Sequence, residues 1–193
     1  MEEFLVDDKW KDIITRDVAR MSFSELDWEK RDNFRTGISW HIPTESLVEL
    51  IKCYSPVVSV GAGLAYTESI ALEKGADIIA TDISPDSLNK WCRGDYRMLV
   101  ERKESVEAVK SYNDRNVFIA WPPYDNPMAF ETAKAMEVGR VLIYVGESGG
   151  GCTGDGDFFN YLYENFEEIE ISAAIPSWSG IYDNVYVYRK VKC

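Results

Sequence analysis

Histidine is nearly missing from this chain: His41 is the only one in 193 residues. The four cysteines, Cys53, Cys92, Cys152 and Cys193, stand far apart, and no two form a CxxC or another ligand-like spacing. A zinc centre draws on three or four such ligands, so a metal site is not expected. Isolated thiols fit a reducing compartment. Basic residues are also scarce. Lys and Arg total 21 against 33 Asp and Glu, a formal net charge of −12. Binding to phosphate backbones depends on Lys and Arg neutralising the phosphates, so the balance argues against nucleic acid and anionic membranes as partners. No apolar run approaches the roughly 18 residues of a membrane span. The start, MEEFLVDDKW, is acidic and lacks the apolar stretch of a signal peptide. The expectation is a soluble, cytoplasmic protein.

What is present reads as α/β. The length suits one domain with a substantial core and is short for two. Residues 1–50 are rich in charge and Trp and read as an interrupted helical cap, polar from Asp27 to Arg35. Thr44, between Pro43 and Glu45, is a plausible side-chain cap for a helix whose apolar face is Leu47, Val48, Leu50 and Ile51. From residue 56 to 193 the pattern becomes strand, turn, helix. Short β-branched runs occur at Val57–Val60, Ile78–Thr81, Val117–Ala120 and Val141–Val145, with a weaker one at Leu99 and Val100. Helical segments are expected at 67–74, 105–112, 128–136 and 158–166. Fully apolar strands alternating with helices predict a mostly parallel sheet covered on both faces. Two late strands, Ile169–Ile175 and Val185–Tyr188, have no helix pattern between them and suggest an antiparallel edge hairpin around Pro176 and Gly180.

Two constellations carry chemistry. In VVSVGAGLAYTE a strand runs into Gly61-Ala62-Gly63 and a helix follows; the glycines allow a tight turn and close backbone approach to a ligand. A plain structural turn would use the same residues. Asp82 ends the strand IIATD, 21 positions beyond Gly61, just before Ile83. There a carboxylate can accept hydrogen bonds from ribose hydroxyls, or cap the turn at Ser84-Pro85. Together they point to an adenosine-containing cofactor. The dinucleotide fingerprint wants Gly or Ala at its sixth position, and here that residue is Tyr66, which disfavours NAD and a nicotinamide oxidoreductase. Two further segments are candidates. His41 could act as a base or be a packed histidine. The glycine-rich stretch 146–157 could be a mobile loop closing over substrate, with Glu147, Asp155 and Asp157 facing a cationic acceptor, or a plain surface loop. Cys152 within it has no basic neighbour to activate it.

A third segment, FIAWPPYDNP, resembles the (Asp/Asn/Ser)-Pro-Pro-(Tyr/Phe) motif of amino-group methyltransferases. In that family the first side chain and a backbone carbonyl accept hydrogen bonds from the target amino group, and the final aromatic stacks on the target ring. The resemblance implies Trp121, Pro122 and Tyr124 at a transfer site. Trp121 departs from the motif, because an indole N–H donates and cannot accept. It could face a sulfonium through cation–π attraction or simply be packed. SWHIPTE, VGAG, GADIIATDISP, WPPYDNPMA and VLIYVGESGGGCTGDGDFF together, over roughly residues 38–188, resemble methyltransferase-like proteins of the class I S-adenosylmethionine-dependent superfamily. That resemblance implies a Rossmann-like fold with a seven-stranded, mostly parallel sheet, S-adenosylmethionine as cofactor, and contacts to it from Gly61, Ala62, Gly63, Tyr66, Asp82, Ile83, Trp121 and Pro122. The acceptor, a small molecule or a protein, is not implied. Class I enzymes often carry an acid two residues before the first glycine, where this chain has Ser59. Glu68 could compensate, although a surface position on the helix is the expectation. A non-catalytic cofactor-binding or scaffold protein is the alternative reading, motivated by Ser59 and Trp121.

Overall fold

The computed structural model describes residues 3–18, 28–85 and 89–192; Met1, Glu2, Asp27 and Cys193 lie outside the described residues. Helices α1 (Asp8–Val18) and α2 (Trp28–Gly37) lead to α3 (Glu45–Cys53). Thr44 caps α3: its backbone is extended and its hydroxyl accepts the Leu47 N–H at 3.3 Å. The apolar face of α3, Leu47, Val48 and Ile51, is fully buried.

Strand β1 (Val57–Val60) and helix α4 (Tyr66–Glu73) follow, then β2 (Ile78–Asp82) and β3 (Val100–Arg102). The alternation continues through α5 (Ser105–Ser111), β4 (Asn116–Ala120), α6 (Met128–Ala135), β5 (Val141–Gly146) and α7 (Gly156–Asn165). It ends in β6 (Phe166–Glu168) and β7 (Asn184–Lys190). The strands form one seven-stranded sheet in the order β3-β2-β1-β4-β5-β7-β6. β1 to β5 pair in parallel, and β7 runs antiparallel between β5 and β6.

Alternation along each strand divides the core in two. Val57, Ile78, Phe118 and Ile143 face α3 and α4. Val58, Val117, Ile119 and Leu142 face α5, α6 and α7. Every residue of β1 and β5 is buried, which is why those runs are apolar on both faces rather than alternating, with Ser59 of β1 as a buried polar exception. Each such Val, Leu or Ile contributes about 1.5–3 kcal/mol of transfer free energy. A third cluster joins the N-terminal helices to the connection after β6: Phe34 stands 5.2 Å from Trp10 and 5.3 Å from Trp178, with Ile14 and Ile42 buried beside them.

The sixth strand departs from expectation. It starts at Phe166, directly at the end of α7, and ends at Glu168. Only the Ile169 N–H continues the ladder, to Val187 O at 2.7 Å. Phe166 closes α7 in an extended conformation with its ring buried, so the helix passes into the strand without a linker. Beyond it, the apolar residues Ile171 and Ile175 pack on the sheet without pairing. Residues 169–183 are therefore a long irregular connection, and Ala174 in it accepts hydrogen bonds from Thr44 and Ser46.

Candidate functional site

A cleft of about 790 Å³ opens at the carboxyl ends of β1, β2 and β4, beneath the segment joining α2 to α3. This is where an open α/β sheet binds its ligands, because the strand order reverses there. Gly61, Ala62, Gly63, Tyr66, Asp82 and Ile83 all line it, as do His41, Trp121, Pro122 and Tyr124. Ligand pockets of drug-sized molecules span roughly 300–1,000 Å³, so the space suits a nucleoside-sized group with a second molecule beside it.

The glycine turn owes its shape to positive φ. Gly61 has φ +70° and Gly63 φ +55°. Ala65, the residue before α4, is also left-handed and offers no side-chain cap. The turn is pinned by Ala62 N–H to Thr81 O at 3.0 Å and by Gly63 N–H to Asp82 Oδ2 at 3.0 Å. The other oxygen of Asp82 accepts the Ser84 N–H at 2.8 Å and the Asn89 amide at 3.4 Å. A carboxylate offers about four acceptor positions, so Asp82 keeps capacity for a ligand hydroxyl. Ile83 is 65% exposed and presents its side chain to the cleft, while Tyr66 is half-buried against the N-terminal cluster with Arg97 over its ring at 5.3 Å.

Sequence reasoning expected Glu68 on the helix surface. Instead it is 4% exposed, lines the cleft and accepts a hydrogen bond from Ser59 Oγ at 2.6 Å. Burial pushes its carboxyl up to about 7, against the opposing pull of the Ser59 hydrogen bond. Thr67, Glu68 and Ala71 form the buried stripe of α4, whereas Leu72 is exposed. Three consecutive apolar residues, Ile70 to Leu72, conceal that stripe in the sequence.

His41 is buried, with Ser39 Oγ 3.1 Å from Nδ1 and Thr67 Oγ1 2.9 Å from Nε2. Burial lowers its pKa to about 3. Both nitrogens are engaged and the ring is neutral near pH 7, an arrangement that locks the α2–α3 segment onto α4 rather than offering a strong base.

The WPPY turn forms the opposite wall. Trp121 adopts φ +51° and its N–H donates to Val145 O at 2.7 Å. Its indole Nε1 donates to Asp183 Oδ2 at 3.0 Å, and its ring lies 5.6 Å from Trp40, which in turn meets Trp91 edge-on at 5.8 Å. Arg35 stacks on Trp40 at 4.7 Å. Tyr124 is 68% exposed at the mouth. The Pro122 carbonyl accepts the Gly154 N–H at 3.2 Å, and the Asp125 N–H donates to Gly154 O at 2.9 Å. The glycine-rich loop is thus bonded to the turn and does not hang free. Its acids serve the backbone: Glu147 accepts from the Cys152 and Tyr182 N–H groups, and Asp155 caps α7 through the Phe158 N–H at 2.8 Å. The Cys152 thiol is pushed up by burial and by Glu147. The aromatic wall was legible only as scattered tryptophans: Trp40 stands in SWHIPTE with no role assigned to it, and Trp91 had no motif to announce it.

Among the described residues no group of His, Cys, Asp and Glu could hold a metal ion, and no helix is long and apolar enough to cross a membrane. No family model matches the chain, and no curated protein matches it. Solved structures do. The Burkholderia thailandensis 1,6-didemethyltoxoflavin N1-methyltransferase, with 1,6-didemethyltoxoflavin and S-adenosylhomocysteine bound, superposes at a TM-score of 0.53. It covers 100% of this chain and 94% of that one at 12% identity. The Synechocystis magnesium protoporphyrin IX methyltransferase with bound S-adenosylmethionine gives 0.51, covering 93% of this chain and 91% of that one at 13% identity. At such identity the likeness is one of architecture: the chain has the Rossmann-like fold of class I methyltransferases.

Proposed function

We propose that this chain is an S-adenosylmethionine-dependent methyltransferase acting on a small molecule with a flat face. The observation that carries the reading is one cleft joining the Gly61–Gly63 turn and Asp82 to an aromatic wall of Trp40, Trp121 and Tyr124. Similar folds that were crystallised with S-adenosylmethionine or S-adenosylhomocysteine support it.

The residues present fit the cofactor. Gly61 and Gly63 let backbone approach a nucleoside closely. Asp82 keeps acceptor positions for a ribose diol, and Ile83 and Tyr66 offer apolar surface beside it. When bound, the cofactor supplies a methyl group on a positively charged sulfur for in-line displacement by the acceptor. The chain's part is positioning, which alone is worth several kcal/mol of barrier. Trp121, anchored by Asp183 and backed by Trp40, gives π faces that attract a cation and exclude water. Tyr124 offers a stacking surface for a flat acceptor. His41 is a positioning residue that fixes the first turn of α4 through Thr67. The net charge of −12 argues against a nucleic-acid acceptor.

Thermal unfolding with S-adenosylmethionine, S-adenosylhomocysteine and NAD in parallel tests the reading. A ligand at a hundredfold its Kd stabilises by about 2.7 kcal/mol, which is roughly 5–10 °C for a chain of this size. The expected result is a shift with the two sulfur ligands and none with NAD. No shift with either overturns the reading. The second reading, binding without turnover, is favoured by one observation: the first position of the WPPY turn is a donor-only indole, tied to Asp183, and the Pro122 carbonyl beside it already accepts the Gly154 N–H. Methyl transfer to any member of a flat-acceptor panel rejects it.

A further inference from the structure

Among the described residues, no cation meets the buried acid Glu68. It sits on the first turn of α4, 4% exposed, facing the cleft. Its ionisation is set by burial, the Ser59 hydroxyl, its own backbone N–H and the neighbouring acid Asp82; none of these is positive. The groups facing it from adjoining elements are Ser59 on β1 and Asp82 on β2. Cys92 follows β2, and His41 bears on the same turn through Thr67. All are neutral or acidic. A buried carboxylate is costly unless a positive group meets it, and nothing in the fold requires an acid at this position, since Thr67 and Ala71 fill the rest of the buried stripe.

We propose that Glu68 receives the α-ammonium group of the cofactor's methionine moiety, with Ser59 holding its carboxylate in place. The assignment rests on the cofactor reading above. It gives the two buried acids of the cleft separate tasks. Asp82, bonded to Gly63, Ser84 and Asn89 at the end of β2, addresses a neutral diol. Glu68, on the first turn of α4 beside Ser59 of β1 and met by no positive group among the described residues, addresses the one fixed cation of the amino-acid end. Ser59 carries no charge, but its hydroxyl donates to Glu68 Oε1 at 2.6 Å. The acid is supplied from the helix, and the strand keeps only a positioning donor.

Calorimetric titration with two probes tests this. S-adenosylhomocysteine carries the ammonium group; 5′-methylthioadenosine has the same nucleoside and thioether but no amino-acid end. Glu68→Gln is expected to weaken S-adenosylhomocysteine at least tenfold and leave methylthioadenosine within twofold, the latter also showing that the variant is folded. Ser59→Ala should weaken S-adenosylhomocysteine alone, by a smaller factor, and Ser59→Asp placed in the Glu68→Gln background should recover part of the loss. Equal losses for both probes, or no loss for S-adenosylhomocysteine, overturn the assignment while leaving the cofactor reading intact. Wild-type protein that binds neither probe overturns the cofactor reading itself.

Discussion

At the scale of single residues, the site is built from conformations that cost free energy. Gly63 holds φ +55°, and a Cβ there would lie 2.9 Å from Cys92 Sγ. A left-handed non-glycine residue costs about 1–2 kcal/mol, so Gly63→Ala should lower the urea unfolding free energy by at least that amount, the contact with Cys92 adding to it, with an unchanged denaturant slope. Adding Cys92→Ala should recover only the contact part of the loss, because the dihedral cost remains. Full recovery would mean that φ is not strained. Residues of this kind were legible in the sequence, since a glycine pair after an apolar run and an acid 21 positions on report backbone needs directly. Glu68 was legible only as a candidate to compensate for Ser59, and its burial was not: that depends on Ser59, nine residues away on another element, and on which stripe of an apolar helix meets the sheet.

At the scale of elements, the strands were legible where both faces are covered. β1, β2, β4 and β5 are short apolar runs, and each lies within a residue or two of its expected place. β6 was misplaced because the apolar residues beyond it, Ile171 and Ile175, pack without pairing, and packing and pairing leave the same mark in a sequence. The junction of β7 with α6 was also invisible. Lys190 is 2% exposed, and its Nζ donates to the carbonyls of Ala133, Lys134 and Met136 at 3.1, 2.9 and 2.8 Å. Its three donors meet three acceptors at the end of α6, where a helix leaves carbonyls without internal partners. Lys190→Met keeps the apolar stem and strands those carbonyls. A buried acceptor left unpaired costs about 1–3 kcal/mol, so the variant should unfold with a loss of roughly 2–5 kcal/mol in denaturant titration. A loss below 1 kcal/mol would mean that water or a shifted helix end satisfies the carbonyls.

At the scale of the whole molecule, two buried groups on neighbouring elements set opposing dependences on pH. Burial lowers His41 from about 6.5 to about 3, so the unfolded chain binds the extra proton, and this group's stability is lost as pH falls below 6.5 toward 3. Glu68 is raised from about 4.5 to about 7, so the folded chain binds the extra proton, and its contribution is lost as pH rises from 4.5 through 7. Each slope is about 1.4 kcal/mol per pH unit where only one state is protonated. Between pH 4.5 and 6.5 the two slopes cancel. Glu68→Gln removes one of them. The variant's unfolding free energy, relative to wild type, should therefore climb with pH at about 1.4 kcal/mol per unit from 4.5 to about 7 and level off above that. Urea midpoints for both proteins from pH 4.5 to 8 measure the difference directly. A difference that stays constant across this range would mean that Glu68 is already ionised in the folded protein at low pH. Its burial would then be compensated by a charge that none of its neighbours supplies.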